Sequence, residues 1–329
     1  MRYRTFGRTG WQVSEIGYGM WGMGGWTGSD DEESLHALER AIELGCNFFD
    51  TAWAYGQGHS ERLLGQVIRG TGRGRVGDGS TYRYIATKVP PKNQTWPGKA
   101  ETPISEVFPP DHIREYTEKS LRNLGVDTID LQQLHVWSDA WADDPGWQRA
   151  TRKLKDDRLI RAFGISVNRW EPANVLRALD TGLVDCVQVV YNIFDQSPED
   201  SLFPYCQKHQ IAVIARVPFD EGSLTGTLAR SSTWPAGDFR NMYFKSPNLE
   251  DTLARVDRLK PLVPEGMDLP ELALRFILDH PAVSTTIPGM RRPGHVERNL
   301  AASDGVKSPT RLAGALKQHR WDRVPNATP

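Results

Sequence analysis

Four residues of unlike chemistry stand where apolar runs stop. The run 46–49 ends in Asp50, with Tyr55 and Gly56 following within a turn; a second run ends at Lys88 and a third at His135. A buried strand that delivers a carboxylate, a phenol, an ammonium or an imidazole to the loop beyond it is how an α/β enzyme assembles acids and bases. A phenol is a weak acid at neutral pH, with an ordinary pKa of about 10. A nearby ammonium favours the phenolate, so Lys88 is expected to lower the pKa of Tyr55. Asp50 would keep that lysine charged and oriented, and His135 can hydrogen-bond and position a carbonyl oxygen. The set suits protonating an oxygen. None of these side chains is a reducing centre, and neither iron–sulfur spacing nor a clustered histidine metal site is visible, so redox work requires a bound cofactor. Taken singly, each residue has a plainer reading: Asp50 as a helix cap, Tyr55 as core filling, Lys88 as a solvated cation, His135 as a satisfied core histidine. Their shared position at strand ends makes that joint reading poor.

The elements that must carry these residues alternate along the chain. Strands are predicted at 16–20, up to Asp50, and at 84–88, 128–134, 161–165, 184–190, 211–215 and 283–287. Between them lie helices of 3.6-residue apolar period, such as Leu35, Leu38, Ala41 and Ile42 after the acidic opening Asp30-Asp31-Glu32-Glu33. Eight such units, with no gap long enough for a linker, predict one (β/α)₈ barrel spanning 1–329. Residues 2–6 and 12–16 flank Gly7-Arg8-Thr9-Gly10 as a hairpin ahead of the barrel, fit to plug its lower end. Further strand ends at Ser166, Gln188 to Tyr191, Arg216 and Pro288-Gly289 fall on the same rim as Asp50, Lys88 and His135. Segments 90–110 and 216–247 and the tail after 301 are too long for plain connectors, and the first two follow strands, so they belong to the upper face. The Gly/Arg-rich stretch 70–80 follows a helix and belongs below.

Composition narrows the partners. A formal charge of −1 over 329 residues, with acids and bases interspersed, gives no basic stripe for nucleic acid and no polybasic segment for lipid. No apolar stretch approaches the roughly 20 residues of a membrane span, and the start lacks a signal-peptide core. Cys46, Cys186 and Cys206 are few, widely spaced and set in apolar runs, which speaks against a disulfide framework or zinc site and for the cytoplasm. A small molecule is the expected partner; the oligomeric state is not legible.

Anion-binding signals come from glycines and arginines. Gly17-Tyr18-Gly19-Met20-Trp21-Gly22 matches the dinucleotide fingerprint, but such a fingerprint must run straight into a helix, and here Met23 to Gly28 extends the loop. Better candidates are Gly222 to Gly226, whose backbone N–H groups could wrap a pyrophosphate, and Gly289 with Arg291 and Arg292, paired guanidinium groups at a helix start. Of the tryptophans near upper-face loops, Trp21, Trp53 and Trp137 are the expected walls of a substrate slot.

The runs Asp50-Thr51-Ala52 with Tyr55-Gly56, Ser60 to Gly65, Ala86-Thr87-Lys88, Asp127 to His135, Gly164 to Asn168, Gln188 to Asn192 and Ile287-Pro288-Gly289 resemble the aldo-keto reductases over nearly the whole chain. The resemblance implies a barrel that binds NADP(H) in extended form and a catalytic tetrad of Asp50, Tyr55, Lys88 and His135. It implies that Ser166, Asn168 and Gln188 hold the carboxamide and that Tyr191 stacks on the nicotinamide. Further cofactor contacts are expected from Arg216, Pro218, Gly222, Leu224, Gly226, Gly289, Arg291, Arg292, His295 and Asn299. Thr227 stands where the family often has Lys, and His295 and Arg298 where it often has Gln and Glu; the added arginine charge keeps NADPH ahead of NADH. The implied activity is reversible reduction of an aldehyde or ketone to an alcohol. A nucleotide-binding regulatory subunit of the same fold and a non-redox barrel isomerase using Tyr55 and His135 are the competing readings.

Overall fold

The computed structural model describes residues 1–25, 28–74 and 81–323. The hairpin strands are β1 (Tyr3–Phe6) and β2 (Trp11–Ser14), paired antiparallel. Eight parallel strands follow: β3 (Tyr18–Gly19), β4 (Phe48–Asp50), β5 (Tyr84–Val89), β6 (Ile129–Leu134), β7 (Ile160–Ser166), β8 (Cys186–Val190), β9 (Ala212–Arg216) and β10 (Thr285–Thr286). They pair strictly in chain order, and bridges Ile16 to Thr286 and Gly19 to Gly289 bring the last strand back to the first. The helices are α1 (Asp31–Glu43), α2 (His59–Thr71), α3 (Ile104–Val107), α4 (Pro110–Leu124), α5 (Pro145–Asp156), α6 (Leu176–Asp180), α7 (Leu202–His209), α8 (Arg240–Tyr243), α9 (Asn248–Leu259), α10 (Leu269–Asp279), α11 (Pro293–Ala301) and α12 (Thr310–Lys317). This is the (β/α)₈ architecture with an N-terminal hairpin. No helix among the described residues is long and apolar enough to cross a membrane.

Local chemistry sets the helix ends. Asp30 accepts from the Glu33 amide at 2.8 Å and Asp268 from the Glu271 amide at 2.8 Å, each satisfying an orphan donor at a helix start. Gly125 closes α4 in the left-handed conformation.

Two cores result from the pleat of the strands, whose successive side chains face opposite sides. Inside the barrel, Phe48, Tyr84, Ala86, Leu131, Ala162, Cys186, Ala212 and Ile214 pack on Phe6, Trp11 and Val13 of the hairpin. The Phe6 ring lies 5.3 Å from Phe48, and Trp11 stacks on Tyr84 at 5.1 Å, so the hairpin does plug the lower end. Gly7, at φ +50°, lets the hairpin turn sit on β9; a Cβ there would come 2.5 Å from the Ala212 nitrogen and the Gln210 oxygen. The other faces, among them Phe49, Ile85, Ile129, Phe163, Val187 and Val213, pack beneath the helices. The inward positions continue upward as Asp50, Lys88, Gln133, Ser166, Gln188 and Arg216. The same alternation that fills the barrel floor therefore arms its mouth.

The glycines of the 17–22 motif serve this closure. A Cβ on Gly19 would meet the Ile287 carbonyl at 2.3 Å, and one on Gly22 the Arg291 side chain at 2.8 Å. Trp26, most of the predicted lower loop (75–80) and the chain beyond 323 lie outside the described residues.

Candidate active site

Adjacent strands bring the four chemical groups together. Asp50 pairs in register with Ala86, and Lys88 with Gln133, so β4, β5 and β6 present their last inward residues side by side. The Lys88 ammonium donates to Asp50 Oδ2 at 2.6 Å, to the Thr51 carbonyl at 2.8 Å and to the Tyr55 hydroxyl at 3.3 Å. The other Asp50 oxygen accepts from Gln188 at 2.8 Å and from Gln133 at 3.2 Å. Lys88 and Asp50 are buried; Tyr55 and His135 are half-buried, their rings 5.7 Å apart and nearly perpendicular. A buried ion pair thus stands behind two groups open to the mouth.

The loop that carries Tyr55 is fixed from below. The Thr51 and Ser60 hydroxyls are 2.8 Å apart, and Ser60 donates to the Met20 carbonyl at 3.2 Å. Buried Glu61 accepts from Thr87 at 2.6 Å and from Asn123 at 2.8 Å, tying α2 to β5 and α4.

Electrostatics assign the protons. Burial raises the Tyr55 pKa; Lys88 pulls it down and Asp50 pushes it up, and burial prevails. This corrects the expected lowering: the phenol is held protonated above its ordinary range. For Lys88, burial opposes the charge, but Asp50 and Tyr55 outweigh it and its pKa is raised. His135 is held well below its ordinary value by burial, then by Lys88 and Arg216, so it is neutral at pH 7. Among the described residues its buried Nδ1 has no hydrogen-bond partner.

The rim opposite holds the expected cofactor residues. Ser166 and Gln188 pair in register at the ends of β7 and β8. Asn168 grips the loop at Gly98, donating to its carbonyl at 2.9 Å and accepting from its amide at 3.3 Å. Arg216 donates to the Val167 carbonyl at 3.0 Å while its buried Nε has no partner among the described residues, and burial, then repulsion from Arg169, lowers its pKa to about 10. Pro218 is buried two residues further on. In the turn that follows, the amides of Gly222 and Leu224 donate to Phe219 and that of Gly226 to Ser223, so these three close the turn itself; Leu224 sends its side chain into the core. Gly289 bridges to Gly19. Arg291 donates to the Gly28 carbonyl at 2.8 Å, and Arg292, at the start of α11, lies 3.4 Å from Glu33. Burial and the flanking Arg298, Arg292 and Arg291 hold His295 below its ordinary pKa, and Asn299 is buried on the same helix.

Two expectations are corrected. Tyr191 does not reach the mouth: it lies three residues beyond Gln188, and that odd spacing turns it to the opposite face. Its ring is buried behind the barrel, 5.5 Å from Phe276 and 4.9 Å from Phe203, with its hydroxyl on Glu199 at 2.6 Å. Trp137 is no pocket wall either; it is fully buried, with Trp147 at 5.2 Å and Trp141 at 5.7 Å. Of the other two, Trp21 is exposed and Trp53 is half-buried, edge-on to Tyr116 of α4 at 4.7 Å. Trp96 is the aromatic that overhangs the chemistry, perpendicular to His135 at 5.9 Å and 45% exposed. Gln133 also escaped the sequence reading, although an amide pair, Gln132-Gln133, inside an apolar strand was a usable signal.

The barrel, with a carboxylate, an ammonium, a phenol and an imidazole joined at its mouth, defines a class before any particular relative. The model of the aldo/keto reductase family matches residues 15–314, and the chain belongs to that family of oxidoreductases. Aldo-keto reductase YhdN of Bacillus subtilis (strain 168) is 31% identical over 306 residues, covering 90% of this chain and 87% of the relative. The NADH-specific methylglyoxal reductase of Escherichia coli (strain K12) is 26% identical over 314 residues, covering 92% and 93%. Among solved structures, the glycerol dehydrogenase AKR11B4 from Gluconobacter oxydans superimposes with a TM-score of 0.74 at 30% identity, covering 94% of this chain and 91% of that one.

Proposed function

We propose that this chain catalyses the reversible reduction of a small aldehyde or ketone to an alcohol, with NADPH preferred over NADH and Tyr55 as the proton donor. The observation that carries the reading is the three-way bonding of Lys88 to Asp50, Thr51 and Tyr55 behind an open imidazole. Because the Tyr55 oxygen accepts from Lys88, its own proton points away from the ammonium and is available to a substrate oxygen. Neutral His135 donates from Nε2 to the same oxygen and sets which carbonyl lone pair faces Tyr55. When the proton leaves, Lys88 is already hydrogen-bonded to the phenolate that forms, so charge develops where a cation is preorganised.

The residues present fit a nicotinamide dinucleotide. Beside the tetrad, Arg216 carries a buried nitrogen with no partner among the described residues, and a buried cationic donor left so is costly until a ligand satisfies it. Arg291 is depressed by burial, then by Arg292 and Arg240, a cluster with more cations than the nearby Glu33 and Asp238 offset. That excess favours a cofactor with a further phosphate, the basis for NADPH; among relatives the Escherichia coli methylglyoxal reductase is named for NADH and yakc of Schizosaccharomyces pombe for NADP(+). Ser166 and Gln188 would hold the carboxamide together with the remaining lone pair of the Asn168 oxygen, since both Asn168 amide hydrogens are taken by Gly98 and Glu171, with Arg216 on the inward face of the neighbouring strand. When bound, the cofactor supplies the hydride that this chain's own side chains lack.

A panel of aldehydes, ketosteroids, sugars and keto-sugars assayed by NADPH absorbance, with Tyr55→Phe as control, tests the proposal. Oxidation of NADPH that Tyr55→Phe abolishes supports it. Tight NADPH binding with no oxidation by any carbonyl would favour the regulatory-subunit reading instead.

A further inference from the structure

The turn beyond β9 is bent against the preference of its own residues. Val217, Asp220 and Glu221 hold φ of 57°, 44° and 56°, and only Gly222 that follows, at 103°, is a glycine. Left-handed backbone at residues with a side chain persists only where the surroundings over-determine it. Here Arg169 pairs with the Glu221 carboxylate, Asn192 donates to the Val217 carbonyl at 3.0 Å, and the third tether is the Asp220 carboxylate. Asp220 is fully buried; one oxygen accepts from the Ser223 hydroxyl of the turn at 2.7 Å, the other from the Tyr243 hydroxyl of α8 at 2.5 Å and from Arg323 at 2.9 Å.

Arg323 comes from the C-terminal segment, 103 residues away in sequence. Its side chain is 4% exposed, with the rings of Trp321, Trp170 and Tyr243 at 4.2, 5.7 and 5.7 Å. Its Nε is 3.9 Å from buried Asp195, a charge contact beyond hydrogen-bond reach, while Asp195 accepts from Trp170 Nε1 at 2.9 Å. Trp170 lies two residues beyond Asn168 in the loop after β7. One guanidinium therefore joins the loops that follow β7 and β9, on either side of Gln188. The segment bearing it is pinned in turn: the Trp321 amide donates to the Phe194 carbonyl at 2.7 Å, and Arg320 grips Asp200 with two bonds of 2.6 Å.

We propose that Arg323 is a positioning residue for the cofactor: by neutralising buried Asp220 it fixes the turn 217–226 that follows Arg216, and so holds the side of the mouth against which a dinucleotide is expected to lie. The inference rests on the reading of this chain as a nicotinamide enzyme. Without the guanidinium, Asp220 keeps two neutral donors for a buried charge, and the turn relieves both charge and strain by opening. Cofactor binding must then restore the bend. The effect thus falls on affinity rather than on the proton transfer at Tyr55.

The test is Arg323→Met and Arg323→Lys in the full chain, with NADPH affinity read by fluorescence titration and amide exchange of 217–226 read without nucleotide. Arg323→Met should weaken NADPH by about tenfold or more, the scale on which a buried pair loses a partner. Its exchange in 217–226 should speed up, and KM for NADPH should change more than kcat. Arg323→Lys, which keeps the charge, should recover part of both. Wild-type affinity together with a protected turn in Arg323→Met overturns the inference. Should that variant not fold, Tyr243→Phe removes one donor from the same carboxylate oxygen and should give a smaller shift of the same sign; no shift overturns the inference equally. A wild-type chain that binds neither NADPH nor NADH sinks the proposed function, while the exchange arm still decides whether Arg323 holds the turn.

Discussion

Lys88 has three ammonium hydrogens and three acceptors, one of them the phenol of Tyr55. On the proposed mechanism this arrangement leaves the Tyr55 proton free for a carbonyl oxygen, while burial holds the phenol protonated above its ordinary range. Tyr55→Phe should retain NADPH binding and lose about 10²-fold or more in turnover, the scale of a positioned general acid. The pH dependence follows from the signs. Because the Tyr55 pKa is raised, the acid is present below that value and lost as pH climbs through it. Reduction should therefore hold through neutrality and decline only in the alkaline range, and alcohol oxidation should rise over the same interval, since it needs the phenolate as base. His135 is depressed, so the acid limb should not fall near the ordinary histidine value of about 6.5. Rate profiles in both directions check this; a reduction limb falling between pH 6 and 7, about where an ordinary histidine titrates, would contradict the neutral imidazole.

At the scale of elements, strand parity and helix ends do most of the positioning. The start of α11 gathers Arg291 and Arg292 facing the first βα loop and α1. Replacing both by alanine should weaken NADPH by about 10²-fold or more, at about 1.5–3 kcal/mol per charged hydrogen bond, and NADH much less. Equal losses by titration would mean that these arginines serve Gly28 and Glu33 alone. The closure of the barrel sets a second element-level constraint. Gly19→Ala would push a methyl into the Ile287 carbonyl, 2.3 Å from the ideal Cβ. The chain should lose about 1–3 kcal/mol, as overpacked positions do. Urea unfolding measures that loss, and wild-type stability would show that β3 and the segment after β10 separate freely.

For the whole molecule, the two cores are distinct and the tryptophans divide between core and mouth. Trp137→Ala should destabilise by about 3–5 kcal/mol, the cost of a large core truncation, while carbonyl preference is unchanged. Trp96→Ala should do the reverse, leaving the denaturation midpoint in place and changing which carbonyls are reduced. If Trp137→Ala altered preference at wild-type stability, the placement of these two rings would be exchanged.

The barrel was legible because it is written in periodicity: eight apolar runs, helices between them, and chemical residues at the run ends. Hydrophobic alternation and capping are local, and local signals survive without the rest of the fold. Asp50, Lys88 and His135 could be picked out because each ends a strand on the inward parity. Parity also held the clue against Tyr191, since Gln188 and Tyr191 are three apart and cannot face the same side of one strand; Arg216 has the inward parity instead. Other features depended on distant partners. Whether a phenol beside a lysine titrates low or high turns on burial, and only the folded environment made burial outweigh Lys88. Trp137 and Trp96 look alike as loop tryptophans, and packing alone sent one to the core and the other over His135. No local pattern could have shown that Arg323 reaches back to Asp220, because pairing across 103 residues is decided by where the closed barrel brings the end of the chain.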